Sequence, residues 1–154
     1  MTPLDLTQGP PRSPRDELRG VCMLPRMIDI ARAKLPGGNV GEYQIGQGMS
    51  AVVLAALGLG AAQFVELVRA ASSDADVAAA LWQGAAAPRK AINARLSRAT
   101  VADVPADLRT TFQQLYGTEL PSDSRIFDVI EADDRNMFPK ISDARGESGR
   151  ASAT

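Results

Sequence analysis

Three charged side chains, Arg26, Asp29 and Arg32, follow one another at intervals of three residues within the run Leu24-Pro25-Arg26-Met27-Ile28-Asp29-Ile30-Ala31-Arg32-Ala33-Lys34-Leu35. Residues three apart on a helix are neighbours, so this spacing sets a carboxylate between two guanidiniums. An aspartate placed there can hold one or both arginines, leaving their planar donor forks to grip a carboxylate or phosphate in two-pronged fashion. The plainer reading of the same stripe is a solvated helix face, where each such pair stabilises by only about 0.2–0.5 kcal/mol. Arg15 lies just upstream, and Glu42 and Tyr43 lie just downstream in a glycine-rich loop. A loop returning over the Arg26 and Asp29 face would add a carboxylate and a phenol to the guanidiniums. Arg15, Arg26, Asp29, Arg32, Glu42 and Tyr43 are therefore the candidate ligand-binding residues, and Glu42 is an acid or base if burial raises its pKa. The plain alternative for Tyr43 is a ring packed as a lid on the core.

Other chemistry is thinly represented. The chain has no histidine, which removes Ser-His-Asp and Cys-His catalysis, histidine-ligated zinc and imidazole acid–base work. The one cysteine, Cys22, lies among Val21, Met23 and Leu24 and reads as a buried small hydrophobe in a reducing compartment. Gly58-Leu59-Gly60 lacks the third glycine and the acidic partner of a dinucleotide fingerprint. Glu131, Asp133 and Asp134 do not follow a calcium-loop pattern, so no metal and no cofactor are expected. Arg89, Lys90, Arg95 and Arg98 form the best basic patch, but there are no interleaved aromatics and the net charge is -1, so a nucleic-acid partner is not expected.

These groups must be positioned by helices. Leu24, Met27, Ile28, Ala31 and Leu35 recur at helical spacing, and Pro36-Gly37-Gly38 stops that helix. Ser13-Pro14 reads as the start of a single helical turn ended by Gly20, and Tyr43 and Ile45 alternate as an edge strand would. Ser50 reads as the cap of a helix ended by Gly58, Ala61 to Ala71 as another, and Ser73-Asp74-Ala75-Asp76 as a capping box opening a helix through Trp82, ended by Gly84. Pro88, Pro105 and Ser122 mark three further starts, with Gly117 closing the second of these. The expected fold is all-α or nearly so: a compact single domain of about six or seven short helices with one glycine-rich loop. Residues 1–12 read as an extended arm, 13–141 as the helical globular domain and 142–154 as a disordered tail. The N-terminus has no basic region followed by an apolar one, and the apolar run from Ala51 to Ala62 is too short to cross a membrane. A cytoplasmic location is the expectation.

Arg12-Ser13-Pro14-Arg15, then Leu24-Pro25-Arg26-Met27-Ile28-Asp29 with Ala31-Arg32-Ala33, then Gly41-Glu42-Tyr43, resembles the signature of the bacterial family named domain of unknown function 5069. The resemblance covers roughly residues 4–138 and implies a fold rather than an activity. It also implies a polar segment after Gly-Glu-Tyr; here the chain reads Gln44-Ile45-Gly46-Gln47-Gly48-Met49-Ser50 instead, so an activity carried by that segment would be lost.

Three functions follow as expectations. The leading one is a noncatalytic cytoplasmic binding or interaction module whose charged site takes a small anionic ligand or a protein partner. The second is an enzyme on a small anionic metabolite, with Glu42 as acid–base group, Tyr43 as donor and Arg26 as clamp. The third is a structural homo-oligomer built on an alanine-rich face such as Leu59 to Val68.

Overall fold

The computed structural model describes residues 1–83, 89–117 and 119–139. Among them are seven α-helices and one small antiparallel hairpin, so the mostly helical expectation holds. The chain divides into two units, one spanning Met1–Ser97 and the other beginning at Arg98.

In the first unit, the segment read as a helical turn is a hairpin, with β1 (Glu17–Leu18) paired to β2 (Val21–Cys22) in the register Glu17↔Cys22 and Leu18↔Val21. Arg19 and Gly20 both take positive φ, 52° and 77°, the two-residue turn whose twist matches paired strands. Ser13 spends its groups on a local turn, its Oγ accepting from Arg15 N at 3.1 Å, and no helix propagates from it. Met23, with φ 69°, then turns the chain into α1 (Leu24–Ala33), with Pro25 in its first turn. Lys34 caps α1, and Leu35 follows in a tighter turn through its N–H to Arg32 O at 3.1 Å.

Helix α1 is buried on nearly every side, which overturns the solvated-face reading: Arg26 and Asp29 are each 5% exposed. It packs mainly on α3 (Ala61–Ala70), which also meets α2 (Gly48–Leu57) and α4 (Asp74–Trp82). The remaining side of α1 is covered by the arm and the glycine-rich loop. Leu6 joins Ile30 and Ala33 in a buried cluster, against which Leu4, Val40, Tyr43 and Ile45 pack. The alternating Tyr43 and Ile45 form no strand; both rings and branches serve this cluster from a turn-rich loop. The N-terminal arm is fastened by a parallel bridge of Asp5 with Asn39 and then turns, Gln8 N donating to Asp5 O at 3.4 Å.

Ser50 lies inside α2 rather than at its cap. Its Oγ accepts from Gly46 N at 2.9 Å and Gln47 N at 3.2 Å and donates to Gln47 O at 2.7 Å, closing the first turn from within. Ser73 caps α4 as its sequence predicts, accepting from Asp76 N at 3.2 Å. Helix α5 (Arg89–Arg98) buries Ile92 and Leu96, while Gly84 and Pro88 lie outside the described residues. No single helix among the described residues is long and apolar enough to cross a membrane; α2 and α3 pass only as a pair bent by 75°.

In the second unit, α6 (Arg109–Tyr116) starts later than Pro105 predicts, and α7 (Ile126–Met137) later than Ser122 predicts. Before α6 a local turn, closed by Leu108 N to Pro105 O at 2.9 Å, occupies the positions after Pro105; for α7 the reason is pairing distant in sequence. Ala102 N donates to Ser122 O at 2.8 Å, Val101 N to Ser124 O at 3.0 Å and Ile126 N to Ala99 O at 3.0 Å, around an antiparallel bridge of Thr100 with Arg125. A short 3-10 turn at Val101–Asp103 follows from the same pairing. On α6, the rings of Phe112 and Tyr116 pack with centroids 4.8 Å apart and planes tilted by 47°. The expected tail, 142–154, lies outside the described residues.

Candidate functional site

An aspartate in the middle of a buried helix needs a cation and hydrogen-bond donors, because an isolated carboxylate in the interior costs far more than folding can offset. Asp29 finds them in the arm. Arg12 Nε donates to Asp29 Oδ2 and Arg12 Nη2 to Asp29 Oδ1, both at 2.9 Å, and the Arg12 backbone N–H adds a third bond to Oδ2 at 2.9 Å. This is the two-pronged arginine–carboxylate geometry, formed across the arm–helix contact rather than along α1.

Arg12 reaches further. Its Nη1 donates to Asp74 Oδ2 at 2.5 Å, so the guanidinium joins α1 to the first turn of α4. Partial burial alone would weaken its hold on its proton, but hydrogen bonds to Asp29 and Asp74 and their charges prevail and raise its pKa above the ordinary arginine value. Arg12 is thus a permanent cation.

The sequence-derived candidates fall into two groups. Arg26, Asp29, Arg32 and Tyr43 converge. Arg26 Nη1 donates to Arg12 O at 3.2 Å, and its guanidinium carbon sits 5.3 Å from the centre of the Tyr43 ring, within cation–π range. Arg32 Nη1 lies 3.7 Å from Asp29 Oδ1, and Arg32 Nε donates to Thr2 O at 2.8 Å. The i,i+3 neighbour therefore has the looser hold on Asp29, and Arg12 the tighter one. Glu42 is exposed, and among the described residues no hydrogen bond or ion pair joins it to this cluster. Arg15 is exposed as well.

Arg12 and Asp74 are the two members that sequence reasoning missed. Arg12 belongs to the Arg12-Ser13-Pro14-Arg15 motif but has no periodic relation to α1, and Asp74 is legible only as a helix-opening acid. A usable signal was the apolar character of α1 itself: a carboxylate flanked by Ile28 and Ile30 requires a cation from outside the helix.

Among the described residues no group of His, Cys, Asp or Glu is arranged to hold a metal ion. Cys22 is buried, its Sγ donating to Glu17 Oε1 at 3.4 Å, and burial followed by the Glu17 contact pushes its thiol pKa up to about 11. It is a thiol, not a thiolate, at neutral pH.

No curated protein matches the chain. A family model described as Domain of unknown function (DUF5069) matches residues 8–136, a span that takes in Arg12, Arg26, Asp29, Arg32, Tyr43 and Asp74 together, and the chain belongs to that family.

Proposed function

We propose that this protein is a noncatalytic binding module whose site is the guanidinium cluster built on Asp29, and that the site takes an anionic group. The observation that carries this reading is the combination of rigidity and access. Asp29 is buried and fixes Arg12 through three hydrogen bonds, while the side chains of Arg12 and Arg32 remain 36% and 21% exposed. Guanidiniums held in place lose less freedom when an anion arrives, so more of the interaction appears as affinity. The carboxylates nearest the cluster, Asp29 and Asp74, are engaged as acceptors for arginine, a positioning role rather than proton transfer. The buried free thiol of Cys22 suits a reducing compartment such as the cytoplasm.

The test is a thermal-shift titration with inorganic phosphate and citrate, run on the native protein and on Arg32→Gln. A ligand at 100 times its Kd stabilises by about 2.7 kcal/mol, a shift of several degrees for a chain of this size. The expected result is a shift in the native protein that is lost in the variant. An equal shift in both, or none with either anion, sinks the reading.

A further inference from the structure

Arg12 and Arg32 approach one oxygen from different parts of the chain. Arg12 ends the arm and Arg32 lies in the last turn of α1. Arg12 Nη2 is 2.9 Å from Asp29 Oδ1, and Arg32 Nη1 is 3.7 Å from that same atom. The two nitrogens are therefore no farther apart than those two distances laid end to end, a gap that two oxygens of one oxyanion can span.

Donors remain for it. Asp29 and Asp74 take the Nε–H of Arg12 and one N–H on each of its terminal nitrogens, leaving one N–H on Nη1 and one on Nη2. Arg32 commits its Nε–H to Thr2 O, and its terminal nitrogens form no hydrogen bond among the described residues, 3.7 Å being an ion-pair distance. Arg12, Arg26 and Arg32 set against Asp29 and Asp74 leave the cluster net positive, so its attraction for an anion grows with the anion's charge. A phosphate group supplies close to two charges and can offer each guanidinium its own oxygen.

We propose that a phosphate-class oxyanion bridges Arg12 and Arg32 and thereby straps the arm, residues 1–12, onto α1; this rests on the reading of the cluster as an anion site. Beyond the contacts of Arg12 with Asp29 and Asp74, the arm is held by Arg32 Nε to Thr2 O at 2.8 Å, by the Met1 ammonium to Ala71 O at 2.6 Å, by backbone bonds such as Leu6 N to Asn39 O at 2.8 Å and Asn39 N to Leu4 O at 2.9 Å, and by the buried side chains of Leu6 and Pro11. Segments held this way open locally more readily than the core. Opening separates Arg12 from Arg32 and divides the site, so a ligand that needs both arginines binds the closed state alone and shifts the population toward it.

The experiment is amide hydrogen exchange on the full chain, read at Leu6 and Arg12, with inorganic phosphate, phenyl phosphate or acetate added, and with each affinity measured by calorimetry. The two phosphates distinguish the free ion from a phosphate ester, and acetate tests the charge argument. At 100 times Kd, exchange of the arm should slow by up to about 100-fold with phosphate. Exchange in α7 should not change. Arg32→Gln should abolish the slowing; Arg32→Lys, which keeps the charge but not the fork, should weaken it and stands in if the glutamine variant does not fold. Phosphate binding with no change at Leu6 and Arg12 overturns the strap and leaves the anion site intact. Acetate binding as tightly as phosphate overturns the ligand class. No binding by any of the three overturns the site reading itself.

Discussion

Arg12 and Asp29 stand 17 residues apart and are joined by three hydrogen bonds, both prongs of the guanidinium and the Arg12 backbone N–H each at 2.9 Å. The pair resolves an electrostatic problem that α1 creates by burying a carboxylate, and in doing so it fixes where the arm crosses the helix. Arg26 reinforces that crossing by donating to the Arg12 carbonyl. Asp74 extends it to α4.

Arg12→Ala should therefore destabilise by about 2–4 kcal/mol, less than a fully buried ion pair because the guanidinium is partly wet. Arg12→Lys should recover only part of this, since an ammonium cannot match the carboxylate fork. In denaturant unfolding, a double-mutant cycle of Arg12→Ala with Asp29→Ala should give a coupling above about 1 kcal/mol. Additive single effects would mean that the contact contributes nothing specific.

Asn93 should prove a second structural clasp. Its Nδ2 donates to Gly20 O at 2.6 Å and its Oδ1 accepts from Cys22 N at 3.0 Å, tying α5 to the hairpin. Asn93→Ala strands one partly buried donor and one acceptor and should cost about 2 kcal/mol. Native-state exchange at Cys22 should accelerate in the same variant, which distinguishes a local loosening from a general loss of stability.

Cys22 sets a pH dependence with a definite sign. Burial, and then Glu17, raise its pKa in the folded protein to about 11, whereas the unfolded chain releases the proton near the ordinary value of 9.0. Between those values the unfolded state holds fewer protons, so stability falls as pH rises through that window and is unaffected by this group below it. The native protein should lose about 2 kcal/mol more than Cys22→Ala between pH 9 and pH 11. Parallel urea midpoints for the two proteins across that range would refute it. Alkylation of the native thiol at pH 8 should be correspondingly slow.

Gly38 ends the turn after α1 under a steric requirement. A Cβ there would meet Ala33 O at 2.5 Å, Ala33 C at 2.8 Å and Arg32 O at 2.9 Å, all backbone atoms. Since backbone cannot swing aside as a side chain can, Gly38→Ala should cost about 1–3 kcal/mol, measured as a fall in the urea midpoint. Gly48→Ala provides a contrast: nothing lies within 4 Å of its Cβ, and its cost should come from the positive φ of 53° alone, about 1 kcal/mol.

Much of the helical framework was legible because its signals are local. The apolar spacing from Leu24 to Leu35 marked α1, Ser73 marked the start of α4, and Gly58 and Gly117 marked two ends. Local signals misled where a distant partner intervened. Ser13-Pro14 has the chemistry of a helix start, yet Arg19-Gly20 closes a hairpin behind it; Ser122 has the chemistry of a cap, yet its carbonyl pairs with Ala102.

By itself the sequence determined a mostly helical chain, a charged stripe at Arg26, Asp29 and Arg32, and the absence of histidine chemistry. Periodicity and capping depend on residues within a few positions of one another, so they can be read in order along the chain. Only the tertiary structure decided that Arg26 and Asp29 of the stripe are buried, that Arg12 and Asp74 complete it, that Tyr43 lies over Arg26, and that Glu42 stays in solvent. Those outcomes follow from the cost of burying a carboxylate, which is met by whichever cation the folded chain brings near, and sequence spacing does not record which one that is.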